Sequence, residues 1–354
     1  MFVSWHWGCD TGCVIADPMG EWVPTANVAS GSGMDSGTPS PRLVRKSDWR
    51  EVLDCHAWRV TRIALVASRS TGAIVGDGPL LLAAFDAIGM KAEIVPWGNG
   101  PEWARFDAVV IRNTWDYVFD RDAFLKWAAE VSTCTRLANS LEVLEWNTDK
   151  RYLRELEAQG IPIAPTIWVE PGEPMPRHSW DDFVVKPSVS AGGWLSARYE
   201  RGDDPGDHMH RIHATGAAAM LQPYISSIDT DGETGTYVFG GDLSHAIRKG
   251  PVLELGKPAP EDLSAGLLQS VAPAEIDPRL GAFARRVLGA APSVLYARVD
   301  TASGVDGHPI LLELEVTEPH LFLEHAPCGA NRFARAVERW LQDGATGTPG
   351  DPAC

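Results

Sequence analysis

The stretch DDFVVKPSVSAGG, residues 181–193, decides how the middle of this chain is read. Phe183, Val184 and Val185 form an apolar run the length of a short buried strand, and the run ends on Lys186. A buried strand does not carry a charge without something to pair it. Ser188, Ser190, Ala191, Gly192 and Gly193 follow, and all are small. Small residues let backbone N–H groups reach phosphate oxygens that larger side chains would keep away. Such a loop can also close over a reaction and exclude water. A second lysine, Lys150 in NTDK, comes from a different element. Two lysines can converge on one polyphosphate as point charges. On these residues alone, a plain β-hairpin with an exposed lysine fits equally well.

The C-terminal part adds carboxylates. ARVD places Arg298 and Asp300 on one face of a strand, because side chains two apart point the same way. LLELEV does the same for Glu313 and Glu315 on the next strand. Three carboxylates on one side of paired strands repel each other unless a cation bridges them. Mg²⁺ takes one or two carboxylates plus substrate phosphates. The competing reading is a solvent-exposed face partly neutralised by Arg298. LQPYI reads as a strand leaving the core through Gln222, Pro223, Tyr224 and Ile225. The bend exposes backbone groups suited to an adenine edge between apolar walls.

The whole chain narrows the options. Its 354 residues allow two or three packed units. A formal net charge of −16 argues against a nucleic-acid partner, which needs clustered Lys and Arg. No run of eighteen apolar residues occurs, so no membrane span is expected. The cysteines form neither a disulfide framework nor a zinc pattern, and reduced thiols in a cytoplasmic protein are expected. Residues 1–58 are rich in small, polar, Gly and Pro positions and read as a disordered or poorly ordered extension, without a signal peptide. GSGMDSG within it has the wrong glycine spacing for a dinucleotide fingerprint. From Arg62, RIALVAS, KAEIVPW and FDAVVIRN read as strands, and GPLLLAAFDAIG and RDAFLKWAAEVS as helices. This is a small α/β layer. RNTWDY, Arg112–Tyr117, falls at the carboxyl end of a strand, where such sheets bind ligands. EVLEWNTDKRYLRELEAQG reads as a loop followed by one helix.

Taken in chain order, Lys150, Lys186 with its small loop, QPYI, Asp300 and Glu313-x-Glu315 resemble the ATP-grasp superfamily. The preceding layer resembles that superfamily's pre-ATP-grasp domain. The resemblance is closest to the prokaryotic glutathione-synthetase-like branch. Within it, RNTWDY, WNTDKRYLREL, SHAIRK and YARVD…ELE resemble the group containing the O-ureido-serine cyclo-ligase of D-cycloserine biosynthesis.

The resemblance implies a mixed α/β and α+β architecture. A pre-ATP-grasp α/β domain over 59–140 would precede a two-subdomain ATP-grasp fold over 141–225 and 226–345, with a tail from 346 to 354. It implies ATP and Mg²⁺, with Mn²⁺ as a substitute, and a small amino-acid-like substrate. The oligomeric state stays open, a homodimer or homotetramer included. Lys150 and Lys186 would hold the α- and β-phosphates, and Ser188, Ser190, Gly192 and Gly193 would cover the triphosphate. Gln222, Pro223, Tyr224 and Ile225 would meet the adenine, and Asp300, Glu313 and Glu315 the metal. Arg298 and Arg248 would stabilise an acyl phosphate. Arg112, Thr114 and Asp116 would face the substrate. Three departures concern the substrate side and the metal set: Gly98-Asn99 stands where acidic residues are expected, KGPVLELGKP lacks a GDFR continuation, and Glu315 stands where many relatives have Asn.

The implied reaction activates a carboxylate as an acyl phosphate, which a nitrogen nucleophile then attacks. In a cyclo-ligase both groups belong to one molecule. An intermolecular carboxylate–amine ligase is the alternative, and a nucleotide-binding module without turnover is the alternative of another class. No glycine fingerprint follows the Arg62 strand, which sets a dinucleotide-dependent oxidoreductase aside.

Overall fold

The structure is a computed structural model that describes residues 60–344, except 73, 75, 99, 101, 258–262 and 264–269. The expectations for residues 1–58 and for the tail lie outside the described residues.

The first layer forms around two apolar runs, Arg62–Ala67 and Ala108–Asn113, that are buried on both faces, with a half-exposed strand at the edge. β1 (Arg62–Ala67) is buried at every position after the first. With β2 (Lys91–Pro96), β3 (Ala108–Asn113) and β4 (Arg136–Ala138) it makes a parallel sheet of order β2-β1-β3-β4. Helices α1 (Asp77–Asp86) and α2 (Arg121–Cys134) supply the crossovers. Asp120 caps α2 by accepting from Ala123 N at 3.2 Å. The short β4 was not expected, since three residues carry too little periodicity to stand out.

The stretch read as a loop and one helix is two helices. α3 (Leu141–Asn147) is capped by Ser140, and α4 (Tyr152–Ala158) follows. Lys150 sits in the turn between them.

Two antiparallel sheets follow. β5 (Ile167–Val169), β6 (Asp182–Pro187), β7 (Ala197–Glu200) and β8 (Ala219–Pro223) take the order β5-β8-β6-β7, with α5 (Gly206–His213) packed nearby. After α6 (Ser227–Asp231) come β9 (Glu233–Phe239), β10 (Asp242–Lys249) and β11 (Val271–Ala274). Then come α7 (Pro278–Ala290), β12 (Tyr296–Ser303) and β13 (Pro309–Glu315). The third sheet runs β11-β10-β9-β12-β13. The closing helix is α8 (Gly329–Gly344).

One core joins the first layer to the third sheet: Ile63 and Leu65 pack in the same cluster as Tyr237, Phe239, Tyr296 and Phe333. Among the described residues Cys328 is free and exposed. Among the described residues no helix is long and apolar enough to cross a membrane.

Candidate active site

Strand parity builds the acidic face. Arg298 pairs with Glu315 and Asp300 with Glu313 across β12–β13. On the other side Asp300 pairs with Gly235, and Gly235 with Ile247. Side chains in register share a face, so Lys249 and Glu233, themselves a pair, lie on it too. Gly235 leaves the room this needs, because a Cβ there would meet Asp300 Oδ1 at 3.0 Å and Arg298 Cδ at 3.2 Å.

This face floors a cleft of about 240 Å³ whose other walls come from the second sheet and the first layer. Arg298 donates to Asp300 through Nε and Nη2, both at 2.8 Å, and also to Glu315. Lys249 Nζ lies 2.8 Å from Asp300 and 3.0 Å from Glu233. Burial pushes the Asp300 carboxyl up, but Arg298 and Lys249 outweigh it and hold it at about 2. Glu315 behaves oppositely. Burial lifts it to about 7, with Asp300 and Glu313 adding to the rise and Arg298 only partly offsetting it. One guanidinium thus serves two carboxylates, and Asp300 takes the larger share. The donor set is all oxygen, which suits Mg²⁺. Glu313 and Glu315 are the more available of the three, since both Asp300 oxygens already accept hydrogen bonds.

Lys186 is the penultimate residue of β6, and its side chain opens into the cleft. It makes no hydrogen bond or ion pair among the described residues. Burial first, then the nearby Lys150 and Lys249 charges, lower its pKa, with Glu313 opposing. Lys150 is occupied instead: its Nζ donates to Ser190 O at 2.7 Å and Ser190 Oγ at 3.1 Å, and pairs with Glu313 at 3.1 Å. The small loop turns through Gly192 and Gly193 at φ of 57° and 76°. A Cβ at Gly192 would meet Leu263 O at 2.9 Å, so only glycine fits there. Ser190, Gly192 and Gly193 line the cleft. Ser188 does not. It is fully buried, and its backbone is held by Ala218 O and Lys150 N. Gln222, Pro223, Tyr224 and Ile225 line the far end, between Ala164, Val184, Ile228, Val252, Leu253 and Leu312. Those walls have the apolar character an adenine slot needs.

Four further expectations are corrected. Arg248 is exposed and absent from the lining, because strand alternation turns it to the face opposite Lys249. Arg112 and Thr114 are fully buried and Asp116 nearly so, beneath the cleft rather than in it. Asp116 accepts from Trp97 Nε1 at 2.7 Å and from Arg69 N at 2.9 Å. From the RNTWDY stretch, Trp115 and Tyr117 reach the lining instead.

Arg112 has another task. Residues 316–322 form an irregular loop after β13 whose carbonyls are taken up one by one. Asn139 Nδ2 donates to Val316 O at 2.8 Å, Tyr296 Oη to Thr317 O at 3.1 Å, and Trp115 Nε1 to Glu318 O at 3.2 Å. Arg112 donates to Pro319 O, Tyr237 Oη to His320 O at 2.8 Å, and His245 Nε2 lies 2.8 Å from Leu321 O. Asp77 accepts from Leu321 N and Leu323 N at 2.7 and 2.9 Å. A buried loop must satisfy its backbone this way or lose stability. The loop delivers Glu318, His320 and Phe322 to the cleft, and none of them was singled out in the sequence. Lys249 and Glu233 were missed as well.

Arg112→Met is expected to cost about 2 kcal/mol or more in denaturant unfolding, since it orphans a buried carbonyl, and to raise the substrate KM. Unchanged stability with a raised KM would instead mean direct substrate contact.

The chain is similar to known proteins. A family model described as "D-cycloserine synthetase DcsG, N-terminal domain" matches residues 63–139. The cycloserine biosynthesis protein DcsG of Streptomyces lavendulae is 34% identical over 303 residues, covering 79% of this chain and 99% of that protein. The crystal structure of D-cycloserine synthetase DcsG superposes with a TM-score of 0.71 at 33% identity, again over 79% and 99%. A D-alanine–D-alanine ligase from Bacillus anthracis complexed with ATP shares the fold, with a TM-score of 0.56 at 14% identity over 81% and 99%. The chain belongs to the D-cycloserine synthetase family of ATP-grasp ligases, ATP-dependent enzymes that form carbon–nitrogen bonds.

Proposed function

We propose that this ligase closes a ring, joining the carboxylate of a small amino acid to a nitrogen of the same molecule. The observation that carries this reading is the match along 99% of the length of the Streptomyces lavendulae protein. ATP supplies the phosphoryl group that activates the carboxylate, and Mg²⁺, with Mn²⁺ as a substitute, supplies charge neutralisation.

The chain's own residues do the rest. Lys186 and Lys150 hold the phosphates, and Lys150 exchanges its contacts with Ser190 and Glu313 for them. The loop through Gly193 covers the site and excludes water. The backbone from Gln222 to Ile225 holds the adenine, and Asp300, Glu313 and Glu315 hold the metal. Arg298, already inside the cleft, faces the negative charge that develops at the carboxylate; Arg248 has no such part. Phosphoryl transfer asks for positioning and charge neutralisation more than for a covalent nucleophile. Holding one molecule bent, with its nitrogen against its own carboxyl carbon, gains the large effective molarity of an intramolecular reaction.

The test is ADP release with O-ureido-D-serine alone, with the product identified by mass spectrometry. A cyclic product without added amine is expected. ADP release only when a second amine is present would make the enzyme an intermolecular ligase.

A further inference from the structure

We propose that Glu318, together with the aromatic walls Trp115, Tyr117 and Phe322, is the subsite for the α-ammonium group of the substrate. This rests on the amino-acid reading above and names the group that selects the substrate.

The charges in the cleft are the starting point. Its described lining carries five carboxylates, Glu233, Asp300, Glu313, Glu315 and Glu318, and four cations, Lys150, Lys186, Lys249 and Arg298. Four of the carboxylates have partners: Glu233 and Asp300 pair with Lys249, Glu313 with Lys150, and Glu315 with Arg298. Glu318 has none among the described residues, although it is only 8% exposed. A buried carboxylate without a partner is costly unless a ligand brings the opposite charge. Burial accordingly drives its carboxyl well above the usual range, with Glu315 adding to the rise and Lys150 opposing.

The surroundings point to an organic cation rather than a metal. Glu318 lies beyond the end of β13, off the strand face shared by Glu313 and Glu315. Its backbone carbonyl accepts from Trp115 Nε1 at 3.2 Å. After burial, its charge is the largest influence on the Tyr117 hydroxyl. Trp115, Tyr117 and Phe322 line the same cleft. An alkylammonium gains from aromatic faces as well as from a carboxylate, whereas a small hydrated Mg²⁺ seeks oxygen ligands.

A second observation is independent of Glu318. His320, also 8% exposed and in the lining, has both ring nitrogens without a hydrogen-bond partner. His320 Nε2 does lie 3.6 Å from Asp77 Oδ2, beyond hydrogen-bond reach, so the pinned loop presents two buried polar side chains without a hydrogen-bond partner among the described residues. The pinned carbonyls keep that loop pre-organised. Phe322, held at φ 48° and ψ 47°, stores backbone strain of a kind that clusters at ligand sites.

The experiment compares Glu318→Gln with wild type on two probes, O-ureido-D-serine and 3-(ureidooxy)propanoate, which lacks only the α-amino group. Wild type is expected to prefer the amino-bearing probe at least tenfold in kcat/KM, and the variant to lose that preference through KM. AMP-PNP affinity and the Mg²⁺ requirement of the variant should match wild type, which also checks that it folds. A preference kept by the variant, or no preference in wild type, overturns the ammonium subsite alone. A raised Mg²⁺ requirement overturns it by making Glu318 a metal ligand. Wild type that binds AMP-PNP but turns over neither probe overturns the cyclisation reading first, and this inference with it.

Discussion

Lys186→Met is expected to weaken binding of a non-hydrolysable ATP analogue by about a hundredfold or more while leaving the ligand-free protein at least as stable. The lysine lies near the end of an apolar strand, opens into the cleft and makes no ion pair among the described residues. Burial opposes its charge, and the Glu313 carboxylate offsets that only in part. Methionine keeps the length of the stem and removes only the charge. Isothermal titration with AMP-PNP, paired with melting of the free protein, separates the two effects. Equal affinity in the variant would mean that Lys186 is a strand-end residue with no part in nucleotide binding.

Glu313→Gln is expected to raise the Mg²⁺ concentration needed for ADP release and to lower turnover by about a hundredfold or more, since a metal contributes several kcal/mol of charge stabilisation to such chemistry. The carboxylate partner of Arg298 across the strands is Glu315, whereas Glu313 meets Lys150. A glutamine can still accept from Lys150, which keeps its two bonds to Ser190. The free protein should therefore lose little stability on melting. A large loss of stability with unchanged Mg²⁺ dependence would make Glu313 a structural partner of Lys150 only.

The two halves of the cleft differ in how readable they were. Period-two alternation put Arg298, Asp300, Glu313 and Glu315 on one face from sequence alone, and their register agrees. The same rule does not settle β10. Choosing between Arg248 and Lys249 requires knowing which face of β10 meets Asp300, and that is set by pairing through β9 rather than by local sequence. A register shift between Leu243 and Ala246 further breaks simple counting along the strand. In the sequence Arg112 reads as a ligand group, because it stands at the carboxyl end of an apolar strand. The structure shows a guanidinium reaching a carbonyl 207 residues away. Glu318 and His320 lie in VTEPH, whose residue types carry no periodic or motif signal. Their meaning comes only from the loop that presents them.

That loop has a consequence for exchanging parts between related enzymes. Residues 316–322 are anchored by Arg112 and Trp115 of the first layer, Asn139 at its edge, and Tyr237, His245 and Tyr296 of the third sheet. Transplanting the loop alone into a relative would carry Glu318 and His320 without the side chains that fix their backbone, and should yield a soft site with little selectivity. Transplanting the first layer alone would strand the host's own loop in the same way. Specificity in this chain is therefore inherited as a block spanning most of the described sequence, and chimaeras that respect the sheet boundaries should fail where those that move loop and anchors together succeed.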